Sequence, residues 1–359
     1  MGESRTNLIG MTKEELCAFA SGIGEPAYRG RQLFHWLYEA GATSFEAMTD
    51  LGKEFRLRLG ETASVGAVSL ARERRSKRDG TVKLLFALED GLGIESVLIP
   101  PPSASREEED VEGEEGGRLT LCVSTQVGCP LDCAFCATGT MGFTRNLSAG
   151  EIVGQVLAAG RLTRKKITNI VFMGMGEPLL NYDGLMKAAG LLSEGAGIAP
   201  RRMTVSTAGR VAEIRRMADE NRRMKLAVSL HSAVDATRTR LMPLNRKFGL
   251  RQLMEAVEYY YRKTKLRLTY EVILFDGVND SPSDVARLVA LARRVPSKIN
   301  LIPFHTIGFT HPGGFAASLA PSPRAAEIAA ELRRARLTVM VRSSAGEDIE
   351  AACGQLALS

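Results

Sequence analysis

From residue 119 onward, short apolar runs alternate with stretches in which apolar residues recur at helical spacing. The runs at 119–124, 168–173, 203–206, 225–230, 268–274, 299–302 and 338–342 are rich in Val, Ile, Leu and Met, the composition of strands covered on both faces. Between them lie amphipathic helices. The first has a start signal, because Ser148 and Glu151 hold capping-box spacing just ahead of Ile152, Val153, Val156 and Leu157. This alternation predicts an α/β fold with a parallel sheet of βαβ units, whose ligands collect at the carboxyl ends of the strands.

The first 80 residues read differently. Helical stretches over 12–20 and 32–40 flank GIGEPAYRG, which predicts a small helical domain. GIGEPA resembles a dinucleotide-binding glycine loop only superficially: it sits between helices, carries a proline and follows no predicted strand. Extended runs at 82–88 and 94–99, joined by a turn at 89–93, predict a hairpin, and the acidic segment 101–117 a surface loop. The expected division is a helical domain at 1–80, a hairpin with its acidic loop at 81–118, and the sheet domain at 119–359.

Composition narrows the class. With 359 residues, 45% of them apolar, the chain can bury a sizeable core and a small second domain. The polar N-terminus has no apolar signal core, and no run approaches the roughly 18 apolar residues a membrane span needs, so a soluble, cytoplasmic enzyme is expected. The net charge of +6 understates how basic the remainder is, since residues 107–115 (EEEDVEGEE) are almost all acidic. Basic clusters at 161–166, 201–225 and 262–267 suit phosphate contacts, and equally suit solvated helix faces.

The thiols carry the chemistry. Six cysteines in a chain this long do not form a secreted disulfide framework, and a reducing compartment favours metal binding or catalysis. Cys129, Cys133 and Cys136 form C-x3-C-x2-C after the first strand of the alternating region. A closed zinc site needs a fourth ligand nearby, and the nearest histidine is His231. A 4Fe-4S cluster on three cysteines leaves one iron open to chelate the amino and carboxylate groups of S-adenosylmethionine (SAM) and to pass an electron to its sulfonium, yielding a 5′-deoxyadenosyl radical. Phe135, before the third cysteine, shields such a cluster or simply packs.

With these flanks the chain resembles a known family. LCVSTQVGCPLDCAFCATGTMGFTRNLSAGEIVGQV, MGMGEPLLN, VSTAG, VSLH, INLIPF and GEDIEAACGQL are together very similar to the bacterial dual-specificity adenine C2 methyltransferases, the RlmN family of radical SAM enzymes, over almost the whole chain. The resemblance implies a partial (β/α)6-type radical SAM barrel with a 4Fe-4S cluster on Cys129, Cys133 and Cys136. It implies that Gly176 and Glu177 contact the SAM amino group and that Ser206, Ser229, Leu230 and His231 line the SAM site. His305 stands where members usually carry an asparagine that contacts SAM; a histidine still donates or accepts a hydrogen bond there.

The same resemblance implies a covalent relay. One SAM methylates Cys353, the radical from a second removes hydrogen from that methyl group, and the methylene radical adds to adenine. Cys122 then resolves the adduct through a transient disulfide with Cys353, and Glu95 accepts the ring proton. A relay suits C2, an electron-poor carbon with no nucleophilic lone pair. The implied substrates are 23S rRNA in the peptidyl-transferase region and the anticodon-loop adenosine of tRNA, with a flavodoxin-like electron donor and a monomeric enzyme. Taken alone, Cys122 and Cys353 read as buried structural thiols, Glu95 as a strand carboxylate and MGMGEP as a strand-end turn. Cys17, in ELCAFA, reads as core.

The target base must leave its stack for the chemistry to reach it. Tyr28, Arg29, Arg31 and Trp36 are candidate readers of folded RNA, with core packing the alternative for Trp36. Three rival readings stay open: an adenine C8 methyltransferase of the antibiotic-resistance type, a radical SAM enzyme acting on a small molecule or peptide, and a zinc-binding RNA module without catalysis.

Overall fold

Strands buried on both faces need partners on both edges, and the apolar runs find them in one ten-stranded sheet. The computed structural model describes residues 5–101 and 117–358, so the acidic run at 107–115 lies outside the described residues. In chain order the strands are β1 Ser69–Arg75, β2 Val82–Ala87, β3 Gly93–Ile99, β4 Thr120–Cys122, β5 Asn169–Phe172, β6 Met203–Thr207, β7 Lys225–Ser229, β8 Leu268–Ile273, β9 Ser297–Ile302 and β10 Thr338–Val341. Each strand pairs with its sequence neighbour across the whole sheet. From β4 to β10 all neighbours are parallel, with helices crossing between them, as in the expected partial barrel. The predicted hairpin is β2–β3, which joins β4 antiparallel.

One strand was not announced. β1 (SLARERR) extends the hairpin on its far edge, almost wholly exposed, so it carries no apolar run, and its charges suit an edge that must not pair further.

Capping chemistry sets two helix starts. Ser148 accepts from the Glu151 N–H while Glu151 reaches back to Ser148, opening Ala149–Thr163, which buries Ile152, Val153 and Val156. Thr12 and Glu15 do the same for Lys13–Gly22. The segment GIGEPAYRG runs through a turn into a second helix, Tyr28–Phe34, whose Gly30 lies against the first: a Cβ there would stand 2.2 Å from the Cys17 nitrogen. The N-terminal helices share one apolar core with the barrel. Trp36 packs at its margin and donates to Asp50, whereas Tyr28 is exposed. Among the described residues no helix is long and apolar enough to cross a membrane.

Candidate active site

The concave face of the parallel strands closes over one cavity at their carboxyl ends, about 1350 Å³ with its open mouth included. Of the thirteen residues given cluster, SAM or relay roles above, eleven line it. The exceptions are Leu230, fully buried behind the wall, and Glu95.

The three-cysteine loop runs from the short strand Gln126–Gly128 to the helix Ala137–Thr140. Its entry requires a glycine: Gly128 has φ +74°, and a Cβ would stand 1.9 Å from the Gly142 carbonyl oxygen. Backbone bonds fix the rest, with the Ala134 N–H donating to Leu241 O at 3.0 Å and the Ala137 N–H to Gly354 O at 2.7 Å. Burial pushes the Cys129 thiol up to about 12 and Cys133 well above its ordinary value, with the neighbouring thiols adding to both. Crowded thiols that resist ionising alone, as Cys129 and Cys133 do, suit a cationic partner that would discharge them. No three His, Cys, Asp or Glu side chains among the described residues converge on a point where a single ion would sit. A closed zinc site takes four ligands on one ion, whereas an iron–sulfur cube takes each thiolate on a different iron. Phe135 walls the loop from water, its ring 4.4 Å from that of His231 and 5.9 Å from that of Phe275.

Beside the thiols, the turn after β5 presents Glu177. Gly176 has φ +100°, and a Cβ would meet Gln126 side-chain atoms at 2.5 to 2.8 Å. That close approach lets Gln126 Oε1 accept from the Glu177 N–H at 2.8 Å. The carboxylate accepts from the backbone N–H groups of Leu179 at 3.2 Å and Ala208 at 2.8 Å. Burial outweighs these bonds and raises Glu177 to about 7. A buried carboxylate of this kind is matched by an ammonium group.

His231 adopts the left-handed region at φ +54°. Its Nδ1 accepts from the Ile273 N–H at 3.1 Å, which leaves the proton of the neutral ring on Nε2. Burial, with Arg238 adding to it, lowers this histidine to about 3. Arg238, itself fully buried, donates to the carbonyls of Ala208, Ser229 and Leu230 and to Asn245 Oδ1, tying together the ends of β6 and β7 that carry Ser206 and Ser229.

The other half of the cavity belongs to the second thiol pair. Cys122 ends β4, and burial pushes it up to about 12, with the nearby Cys353 adding to the effect. Cys353 sits on the C-terminal loop with surface open to the cavity, and both thiols are free. Burial pushes the Cys353 thiol up to about 11, with the Arg342 guanidinium lowering it and the Glu271 carboxylate raising it. Glu271 pairs in register with Ser229 and so faces the same interior. Its Oε1 accepts from Asn300 Nδ2 at 3.0 Å, Arg342 Nη1 stands 4.0 Å from Oε2, and Oε2 finds no hydrogen-bond partner among the described residues. His305 lines the cavity with its Nδ1 3.3 Å from Glu347 Oε1.

Glu95 is not among the residues that line the cavity. It is fully buried in β3, two residues along the same sheet face from the cavity-lining Val97, with Lys83 Nζ 2.9 Å from Oε1 and the Ala357 N–H donating to Oε2 at 3.0 Å. Sequence reading missed Lys83, Arg238, Glu271 and Arg342. Glu271 had a signal, a lone carboxylate inside the apolar run LTYEVIL. Arg238 had none, since an arginine on a short helix normally faces water.

The model of the Radical SAM superfamily matches residues 123–289, and that of the ribosomal RNA large subunit methyltransferase N-terminal domain matches residues 6–65. The probable dual-specificity RNA methyltransferase RlmN of Heliobacterium modesticaldum is 45% identical over 364 residues, covering 99% of this chain and 90% of its own. The dual-specificity RNA methyltransferase RlmN of Geobacter sulfurreducens is 44% identical over 357 residues, covering 99% and 92%. A crystal structure of a radical SAM methyltransferase from Sphaerobacter thermophilus superposes with a TM-score of 0.88 at 41% identity, covering 99% of this chain and all of that one.

Proposed function

Because the chain belongs to the RlmN family of radical SAM RNA methyltransferases, we propose that it methylates C2 of adenosine in 23S rRNA, in the peptidyl-transferase region, and in the anticodon loop of tRNA. One observation carries this reading: a single cavity holds a three-thiol cluster site and, apart from it, a free thiol pair, Cys122 and Cys353. A radical SAM enzyme that only cleaves SAM needs the first set alone; covalent methyl relay needs both.

Cys129, Cys133 and Cys136 would hold a 4Fe-4S cluster, which with SAM supplies a methyl donor and one-electron cleavage to a hydrogen-abstracting radical. Glu177 would bind the SAM ammonium, and Gly176, Ser206, Ser229, the Nε2–H of His231 and His305 would orient the rest. Leu230 backs that wall. Phe135 and its aromatic neighbours exclude water from the thiols. Cys353 carries the methyl group as a thioether, and the carbon on its sulfur is the atom joined to adenine. Cys122 attacks the Cys353 sulfur, releasing the methylated base and leaving a disulfide for an external thiol to reduce. Glu271, the cavity carboxylate on the Cys353 side, takes the ring proton on its unpartnered Oε2. Electrons come from a flavodoxin-like donor to a monomeric enzyme.

The test is mass spectrometry of nucleosides from unmodified rRNA and tRNA incubated anaerobically with the reconstituted enzyme, SAM and reductant. 2-Methyladenosine is expected in both. 8-Methyladenosine would move the chemistry to the other ring carbon, and SAM cleavage without any methylated adenosine would overturn the RNA reading.

A further inference from the structure

The segment carrying Cys353 leaves the sheet after β10 and returns across the molecule to the hairpin β2–β3. Both of its ends dock on one buried ion pair. Lys83 Nζ donates to the Glu350 carbonyl at 3.1 Å, and Glu95 Oε2 accepts from the Ala357 N–H at 3.0 Å, while Lys83 and Glu95 stand 2.9 Å apart. Their side chains are 2% and 0% exposed. Neither lines the cavity. Glu95 is locked further through its backbone: its carbonyl accepts from Ser124 Oγ at 2.5 Å and its N–H contacts Met175 Sδ at 3.4 Å. On the other side, the helix after Cys136 holds the same loop, with Thr138 Oγ1 donating to Leu356 O at 2.7 Å.

A buried ion pair is a poor device for stability alone, because an apolar pair of similar volume does as well without the desolvation cost. This pair does what an apolar pair cannot. Its cation meets a carbonyl and its anion meets an N–H, so polarity as well as shape is read at each end of the loop. We infer that Lys83 and Glu95 form a positioning pair that seats the Cys353 loop and sets its thiol against Cys122. The inference rests on the reading of Cys353 as methyl carrier.

The charge swap K83E/E95K separates polarity from pairing. It keeps an ion pair but sets a carboxylate against the Glu350 carbonyl and an ammonium against the Ala357 N–H. The readout is the equilibrium between the Cys122–Cys353 disulfide and the dithiol in a glutathione buffer, followed by mass spectrometry on cluster-loaded protein without RNA. With the loop released, the effective concentration of one thiol at the other falls, and the equilibrium is expected to move toward the dithiol by about tenfold to a hundredfold. Lys83→Arg, which keeps a donor and the charge, stays within about threefold of wild type, and 5′-deoxyadenosine release from SAM is unchanged in both.

If the swap does not fold, Ala357→Pro removes the donated N–H while leaving the pair intact, and it is expected to shift the equilibrium in the same direction. A wild-type equilibrium in these variants overturns the positioning role. So does a Glu95→Gln enzyme with a normal disulfide equilibrium that stalls with RNA joined to Cys353, since that behaviour belongs to a proton acceptor. Failure of the methyl-carrier reading looks different: wild-type Cys353 then never gains a methyl group, whatever the disulfide equilibrium shows.

Discussion

Acidification should expose His231 as a stabilising residue only while it stays neutral. Its native value is held down to about 3 against an ordinary 6.5. A depressed native value means that the unfolded chain takes up a proton which the native protein refuses, so the contribution is complete above pH 6.5 and is lost as pH falls toward 3. Between pH 6.5 and about pH 5 the loss is about 2 kcal/mol, at 1.36 kcal/mol per unit. The comparison is with His231→Asn, since asparagine tolerates the left-handed backbone at φ +54° and offers an oxygen to the Ile273 N–H. Urea unfolding of cluster-free, reduced protein at pH 7.5 and pH 5 gives four free energies. Every other titrating group contributes equally to both proteins, so the wild type is expected to lose about 2 kcal/mol more than the variant on acidification. Equal losses would refute the reasoning, because His231 would then be protonated as easily folded as unfolded.

Gly176→Ala combines a positive φ with a Cβ driven into the fully buried Gln126, so it should cost about 2–4 kcal/mol of stability in denaturant melts and weaken SAM binding by dislodging Glu177. Arg238→Met strands the carbonyls of Ala208, Ser229 and Leu230 and the Asn245 side chain, and should destabilise the fold by about 3–5 kcal/mol in the same assay. Cys136→Ala should abolish the brown iron–sulfur absorbance, whereas Cys122→Ala should keep it and accumulate RNA joined to Cys353 on denaturing gels; a Cys122→Ala enzyme that turns over normally would sink the relay. Glu271→Gln should retain SAM cleavage yet lower the RNA methylation rate by about 100-fold, the scale of a lost general base.

Much of this was legible because each βα unit is a local event. Seven short apolar runs gave the seven parallel strands with ends off by one or two residues, and the Ser148–Glu151 spacing opened its helix where predicted. The functional motifs were legible for the same reason: MGMGEP, VSTAG and VSLH each lie at the end of their own strand, and a parallel sheet brings all such ends to one rim. β1 was missed because an exposed edge strand has nothing apolar to signal it. The helical reading of 12–20 held, while that of 32–40 began late, since the helix starts at Tyr28 just past the proline and widens into a π turn over His35–Glu39.

What stayed hidden is the part of the site that closes on itself over the greatest sequence distance. Strand order follows chain order throughout, so the two ends of the sheet are the two ends of its sequence, and a periodicity reading places the hairpin and the C-terminus far apart. The C-terminal loop breaks that order. It crosses back so that Glu350 meets Lys83 and Ala357 meets Glu95, across separations of 267 and 262 residues. A contact of that kind leaves no trace in spacing or hydropathy, because each partner alone looks ordinary: a lysine and a glutamate on an antiparallel hairpin usually face water. Only their burial, and the matched polarity of what they hold, gives them a task. That is why Glu95 reads as a strand carboxylate from sequence, as a proton acceptor by resemblance, and as one end of a clamp once the loop that carries Cys353 is in place.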